Sequence, residues 1–283
     1  MKTQTPTRQS SRLKTRAADQ FNNLRPEDEQ PKDRSAQVTR SPALDEMVRD
    51  FDKFLRSMER MWPAYIDSDW EERYMGNIIP TSKEPSAANI TAFAIELARF
   101  QGSAYFNRAG GLYISSLINN SNDTNFTLTT NHLEKKLSHL GFLNSGKTIE
   151  VIGVLEGYCG RKMTAGLLRV RGSVTGYLGQ EMSGGTIEIE GNAGNLTGEN
   201  MSGGKIIVKG DCLGIGRGMQ GGEIHVYGNS GEITFAPYRG GKIFFHGAKS
   251  PVLTSIRHRL RMDSPRGEVY HQGKLIWNSG TFL

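Results

Sequence analysis

A short phrase, an apolar strand closed by glycine, returns six times over residues 146–247, ending at Gly153, Gly172, Gly191, Gly210, Gly228 and Gly247. Each closing glycine stands nineteen positions after the last, except Gly228, which follows Gly210 by eighteen. A doublet keeps the same time ahead of each strand, at Ala165-Gly166, Gly184-Gly185, Gly203-Gly204, Gly221-Gly222 and Gly240-Gly241. Three positions before its second glycine stands a methionine, at Met163, Met182, Met201 and Met219, with Tyr238 in the last copy. A unit this small cannot bury its own apolar face and must stack on copies of itself.

Laid in register, the strands 147–152, 166–171, 185–190, 204–209, 222–227 and 241–246 alternate in character. One parity carries Ile149 and Val151, Leu168 and Val170, Ile187 and Ile189, Ile206 and Val208, Ile224 and Val226, and Ile243 and Phe245. Period-two patterning places all twelve on one face. The other parity is mixed and mostly charged; there Arg169 is expected above Glu188, and Arg171, Glu190 and Lys209 in a column of alternating sign. The two-residue period, the β-branched content and the frequent glycines exclude a helix. Links of about a dozen residues suit parallel crossovers rather than two-residue hairpins, yet leave no room for a packed helix. The chain is therefore expected to be mainly β: a right-handed parallel β-helix of about six coils over residues 146–250. Burial of each Ile or Val is worth roughly 1.5–3 kcal/mol, so the apolar parity sets the fold and the outer charges tune register.

The wording Gln180-Glu181-Met182-Ser183-Gly184-Gly185, a strand, Gly191-Asn192-Ala193-Gly194, then Glu199-Asn200-Met201-Ser202-Gly203-Gly204 resembles the glycine-repeat (GXGXG) β-helix domain. That domain ends the large subunit of glutamate synthase and forms much of one subunit of formylmethanofuran dehydrogenase. The resemblance spans about residues 146–250 and implies a scaffold that braces catalytic domains and carries no reacting group. Two features depart from those families. The chain opens Met1-Lys2-Thr3 rather than on a nucleophilic cysteine, and Cys159 and Cys212 are too few to hold an iron–sulfur cluster. By the repeat, Cys159 shares a column with Leu178 and Thr197, and Cys212 with Leu155, Val174 and Ala193, so both read as small core residues.

Residues 1–40 hold nine Lys/Arg against five Asp/Glu, most of the net charge of +6. They are expected to be a disordered basic tail, with nucleic-acid binding as an alternative use. Residues 1–22 are polar and basic without an apolar centre, which argues against a secretory signal and leaves a transit peptide as the alternative. Two cysteines, and no apolar run long enough to span a bilayer, point to the cytoplasm and away from a membrane.

Residues 41–145 read as an α+β cap. Ser41-Pro42 is an N-cap followed by proline at the first helical position. Leu44, Met47, Val48, Phe51, Phe54, Leu55, Met58 and Met61 then form one apolar stripe, packed either on its own domain or on another subunit; Phe51, Leu55, Met58, Trp62 and Trp70 are the candidate partner surface. A second helix is expected from Pro85 to Gln101, with Ile90, Phe93, Ala94, Leu97 and Ala98 inward. Gly110-Gly111 opens an expected strand, Leu112 to Ile118, paired in a hairpin with Phe126 to Thr130. A short helix, His132 to Leu140, follows. Residues 251–283 are a capping segment with a hairpin over 268–277, preceded by the basic run Arg257, His258, Arg259, Arg261 and Arg266.

Gly216-Arg217-Gly218-Met219-Gln220-Gly221 spells a dinucleotide fingerprint but precedes a strand where that motif needs a helix N-terminus. His225 and His246 occupy outward positions of adjacent strands, where they would share a face without stacking directly, and no third metal ligand accompanies them. No catalytic residue, cofactor or metal site is assigned. The leading expectation is a scaffold or structural subunit with protein partners or self-association, or an accessory subunit of an oxidoreductase of the glutamate synthase or formylmethanofuran dehydrogenase type. The competing expectation is an enzyme with its site between cap and solenoid, at Tyr105, Arg108 and His132.

Overall fold

The computed structural model describes residues 40–61, 85–233, 239–248, 266–279 and 281–282. Trp62, Trp70, Tyr238, the basic run Arg257 to Arg261 and nearly all of residues 1–40 lie outside the described residues. The chain is a parallel β-solenoid of about six turns, with three α-helices among the described residues N-terminal to it.

One sheet runs β1 (Asn125–Thr129), β2 (Ser145–Ile152), β3 (Ala165–Arg171), β5 (Thr186–Ile189), β7 (Lys205–Val208), β9 (Glu223–Val226), β11 (Lys242–Phe245) and β12 (Glu268–His271), each parallel to the last. A second, parallel sheet stacks the short strands β4 (Val174–Gly176), β6 (Ala193–Asn195), β8 (Cys212–Ile215) and β10 (Ser230–Ile233). Successive coils fall in the register of the repeat: Ile149, Leu168, Ile187, Ile206, Ile224 and Ile243 form one column, and Val151, Val170, Ile189, Val208, Val226 and Phe245 the next. All twelve are at most 2 % exposed, so the inward parity is the one the alternation marks. Leu155, Val174, Ala193 and Cys212 likewise share a buried column.

The methionine and the doublet explain each other. Gly185 has φ +81°, and a Cβ there would lie 2.7 Å from Met163 Cε in the coil below. The same geometry recurs at Gly204 over Met182, Gly222 over Met201 and Gly241 over Met219. Each buried methionine thus fills the space that a side chain on the next coil would occupy. The strand-closing glycines have a different reason. A Cβ on Gly172 would fall on the Gly153 carbonyl oxygen, and one on Gly247 on the Gly228 oxygen, so backbone lies on backbone there; at Gly191 and Gly210 the side chains of Ser173 and Asn192 crowd the same space.

On the outer face Arg169 Nε donates to Glu188 Oε2 at 2.8 Å, as expected. Lys209 reaches Glu190 at 3.5 Å. Arg171, however, turns down to Glu150 at 2.6 Å instead of up to Glu190, so the expected three-residue column is two separate pairs.

The cap departs further from expectation. Helix α1 (Pro42–Met61) starts as read, with Ser41 Oγ accepting from Leu44 N at 3.1 Å. Leu44, Met47, Phe51, Phe54, Leu55 and Met58 of its stripe are buried within this chain: Phe51 is fully enclosed, edge-on to Phe93 at 5.5 Å and Phe100 at 4.9 Å, with Leu55 and Met58 buried beside it. These three are therefore core residues and no partner surface. Helix α2 (Ala87–Glu96), prolonged by a 3-10 turn over Leu97–Phe100, buries Ile90, Phe93, Ala94 and Leu97; Ala98 is exposed.

Residues 112–118 are not a strand but part of helix α3 (Phe106–Asn120). The glycine pair is the physical reason. A Cβ on Gly111 would fall on the Ser138 carbonyl oxygen, and one on Gly110 would meet Leu137 Cδ2 at 2.7 Å. Two glycines let the helix press its backbone against the first coil, where Ser115 Oγ accepts from Gly141 N at 2.9 Å. Tertiary packing outweighs the β-leaning local propensity of Leu112-Tyr113-Ile114. The expected hairpin is absent for the same reason, since β1 pairs in parallel with β2. Residues 132–140 form turns, with His139 at φ 62° and Gly141 at φ 78°, so the solenoid ladder begins at Asn125 rather than near residue 146. Helix α2 covers that first strand: Thr91 Oγ1 donates to Thr127 O at 2.9 Å. At the far end β13 (Lys274–Asn278) folds back antiparallel on β12, followed by β14 (Thr281–Phe282), and buries Trp277 with Val269. That hairpin lies on the last coil as the sequence suggested.

Candidate functional site

One corner of the coil turns through a left-handed residue that is not glycine. His139, Tyr158, Tyr177 and Leu196, each nineteen positions after the last, have φ of 62°, 64°, 49° and 61°. Each corner is tied to the coil above: His139 N donates to Gly157 O at 3.0 Å, Tyr158 N to Gly176 O at 3.1 Å, and Tyr177 N to Asn195 O at 2.8 Å. Because the coil rise is close to the spacing of neighbouring strands, about 4.8 Å, three of these side chains stack ring on ring. His139 and Tyr158 are 4.7 Å apart and 14° from parallel; Tyr158 and Tyr177 are 4.4 Å apart at 8°.

This column forms one wall of a groove of about 850 Å³. The first turn of α3 and the segment before the first full coil form the other, through Tyr105, Asn107, Arg108 and Lys135. Asn107 Nδ2 donates to Glu156 Oε2 at 2.6 Å across the junction, and Lys135 Nζ donates to Ser103 O at 2.8 Å. Burial holds the Arg108 guanidinium below its usual pKa, opposed by the negative ends of Tyr158 and Glu156. Burial and the nearby Arg108 push His139 down to about 3, so its ring is neutral, with Nδ1 2.9 Å from Ser138 Oγ. Burial raises Tyr158 as well, keeping its phenol protonated. The groove thus offers a half-buried guanidinium, an ammonium, one carboxylate and a row of hydroxyls and amides.

The groove stops for a reason written in the spacing. Ala193 pairs with Cys212, nineteen positions on, but Thr197 bridges to Ile215, only eighteen on. The short coil loses its residue between these points, at the groove corner. Gly214, which succeeds Leu196 in that column, is not left-handed and carries no side chain, so the column ends.

Of the three residues expected between cap and solenoid, Tyr105 and Arg108 line this groove. His132 does not: it lies half-buried under α2 against the backbone of Ala94 and Ile95, its pKa lowered by desolvation. His139 takes its place. The signal was legible, because 139, 158, 177 and 196 keep the period, but reading 132–140 as a helix hid its first member.

A second cluster lies on the outer face of the long sheet. His225, Phe244 and Tyr270 stack at 4.4 and 4.7 Å, and Tyr227 stacks on His246 at 4.2 Å. The two histidines meet edge to edge, with His225 Nδ1 3.2 Å from His246 Nε2, while His225 Nε2 faces Glu223 Oε2 at 3.3 Å. The carboxylate assigns the tautomers: His225 donates from Nε2 to Glu223, and its Nδ1 accepts from His246 Nε2–H. Burial lowers the pKa of both rings. Among the described residues no three His, Cys, Asp or Glu gather as metal ligands.

Cys159 and Cys212 are free and buried, and burial pushes both thiols up to about 12, which removes them as nucleophiles. Gly216 to Gly221 runs directly into β9, so no helix receives a phosphate there. No helix among the described residues is long and apolar enough to cross a membrane. No protein-family model matches this chain, and no curated protein matches its sequence.

Proposed function

We propose that this chain is a non-catalytic scaffold, a stiff cytoplasmic strut that positions protein partners or copies of itself. One observation carries the reading: the long sheet presents a flat, backbone-locked face on which His225, Tyr227, Phe244, His246 and Tyr270 cluster, ending in a Tyr227 that is 51 % exposed. Clustered aromatic side chains on a rigid surface are what association interfaces use as anchors. The glycine-repeat resemblance supports a structural role beside catalytic subunits, such as those of a glutamate synthase or formylmethanofuran dehydrogenase type of oxidoreductase. Two buried thiols in the reduced state fit a reducing compartment.

The test is isolation of the tagged full chain from its own cells under native conditions, beside a Tyr227→Ala/Phe244→Ser double variant. A defined partner or a self-assembled particle that the double variant loses supports the scaffold. Recovery of the wild-type chain alone as a monomer overturns it.

A further inference from the structure

The scaffold reading leaves the groove at the cap–solenoid junction without a use, although its construction is specific. Its volume, about 850 Å³, lies in the range of small-molecule sites. Its chemistry is divided by wall. The cap side supplies two cations, Arg108 and Lys135; the solenoid side supplies Tyr158, Tyr177, Thr175 and Asn195, all neutral donors and acceptors. Glu156 sits between them, its carboxylate steadied by Asn107. Among the lining residues Ala104 and Leu196 bring aliphatic side chains and the tyrosines bring ring carbon, but the rest carry polar or charged groups that an apolar guest would desolvate without compensation. Tyr158 is stacked on both faces, by His139 and Tyr177, and its hydroxyl interacts with that of Tyr177, so the pair of linked hydroxyl edges is the recognition element. Stacked rings on a fixed backbone corner hold those hydroxyls one coil apart without the entropy loss of ordering them on binding.

We propose that the groove is a binding site for a small hydroxylated anion, a sugar acid or sugar phosphate, whose charged group is held by Arg108 and Lys135 and whose hydroxyls pair with Tyr158, Tyr177, Asn195 and Glu156. A planar guanidinium accommodates either a carboxylate or a phosphate in bidentate fashion. The two anion sources are therefore separated by experiment.

Calorimetric titration of the full chain with galacturonate, glucose 6-phosphate, glucose and inorganic phosphate tests the assignment. Saturable binding of galacturonate or glucose 6-phosphate, at least tenfold tighter than glucose and inorganic phosphate, is expected; the stronger of the two names the anion. Arg108→Gln should weaken that binding at least tenfold. Tyr177→Phe, which keeps the stack and removes one hydroxyl, should weaken it several-fold, and it stands as the deciding variant if Arg108→Gln does not fold. Lys209→Gln, on the outer face, should leave it unchanged. Absence of saturation with both hydroxylated anions at millimolar concentration, or binding unaffected in a folded Arg108→Gln or Tyr177→Phe chain, overturns the proposal.

Discussion

The solenoid and its cap bury comparable side chains by opposite means. In the coils every inward residue repeats at a fixed step, so Ile206 meets Ile187 below and Ile224 above in the same geometry. In the cap nothing repeats. Phe51 is enclosed by Phe93, Phe100 and Tyr113, drawn from three helical segments distant in sequence from its own. A periodic core distributes its stability over equivalent interfaces, whereas an aromatic cluster concentrates it at one point.

Substitutions sharpen that contrast. Phe93→Ala should cost about 3–5 kcal/mol and, because α2 covers β1, should loosen the first strand as well; chemical denaturation with hydrogen exchange at β1 measures both. A separate early transition of the cap, with β1 protection intact, would mean the two regions are not coupled as α2 suggests. Ile206→Ala should cost about 2–5 kcal/mol, and a loss below about 1 kcal/mol would contradict the central column. Gly111→Ala should cost about 1–3 kcal/mol by forcing α3 off Ser138, while the same change at exposed Gly102, where nothing lies within 4 Å of the added methyl, should be near neutral.

Acid sensitivity should localise at the junction. The folded His139 titrates at about 3 instead of 6.5, so between those values the unfolded chain binds the extra proton. Stability is then present above pH 6.5 and falls as the pH drops toward 3, by up to about 1.4 kcal/mol per pH unit from this group. His139→Phe, which retains the stack, should flatten the slope; denaturation midpoints at pH 7, 6 and 5 read it. The smallest effect belongs to the outer charges: Lys209→Ala should stay within about 0.5 kcal/mol of wild type, since its pair with Glu190 is solvent-screened.

How much the sequence revealed follows the same division. Both core columns, the buried cysteines, the terminal hairpin and the Arg169–Glu188 pair were readable because each depends on a period or on local alternation. Helix α3 was not, because Leu112-Tyr113-Ile114 prefers a strand and only contact with Ser138 and Gly141 makes it a helix. The fate of α1's stripe was undecidable from pattern alone, since an apolar face looks identical whether it meets its own domain or a neighbour. At the groove, Tyr105 and Arg108 were named by position between cap and coil, but the ring column needed the period to be carried back across residues 132–140. The meeting of His225 with His246 escaped because their ranks differ by two and only side-chain reach brings their edges together.

The coil that is one residue short has a further consequence. Most insertions in a stacked sheet would throw later strands out of phase, yet here whole turns can be added and single residues removed at a corner while both sheets stay aligned. A duplicated nineteen-residue turn upstream of Leu196 would lengthen the cleft by one rung, and an eighteen-residue turn placed there would close it. Adding a turn therefore lengthens rod and cleft together, whereas shortening a turn by one residue ends the cleft alone, so the position of the short turn and not the number of turns sets where the cleft stops.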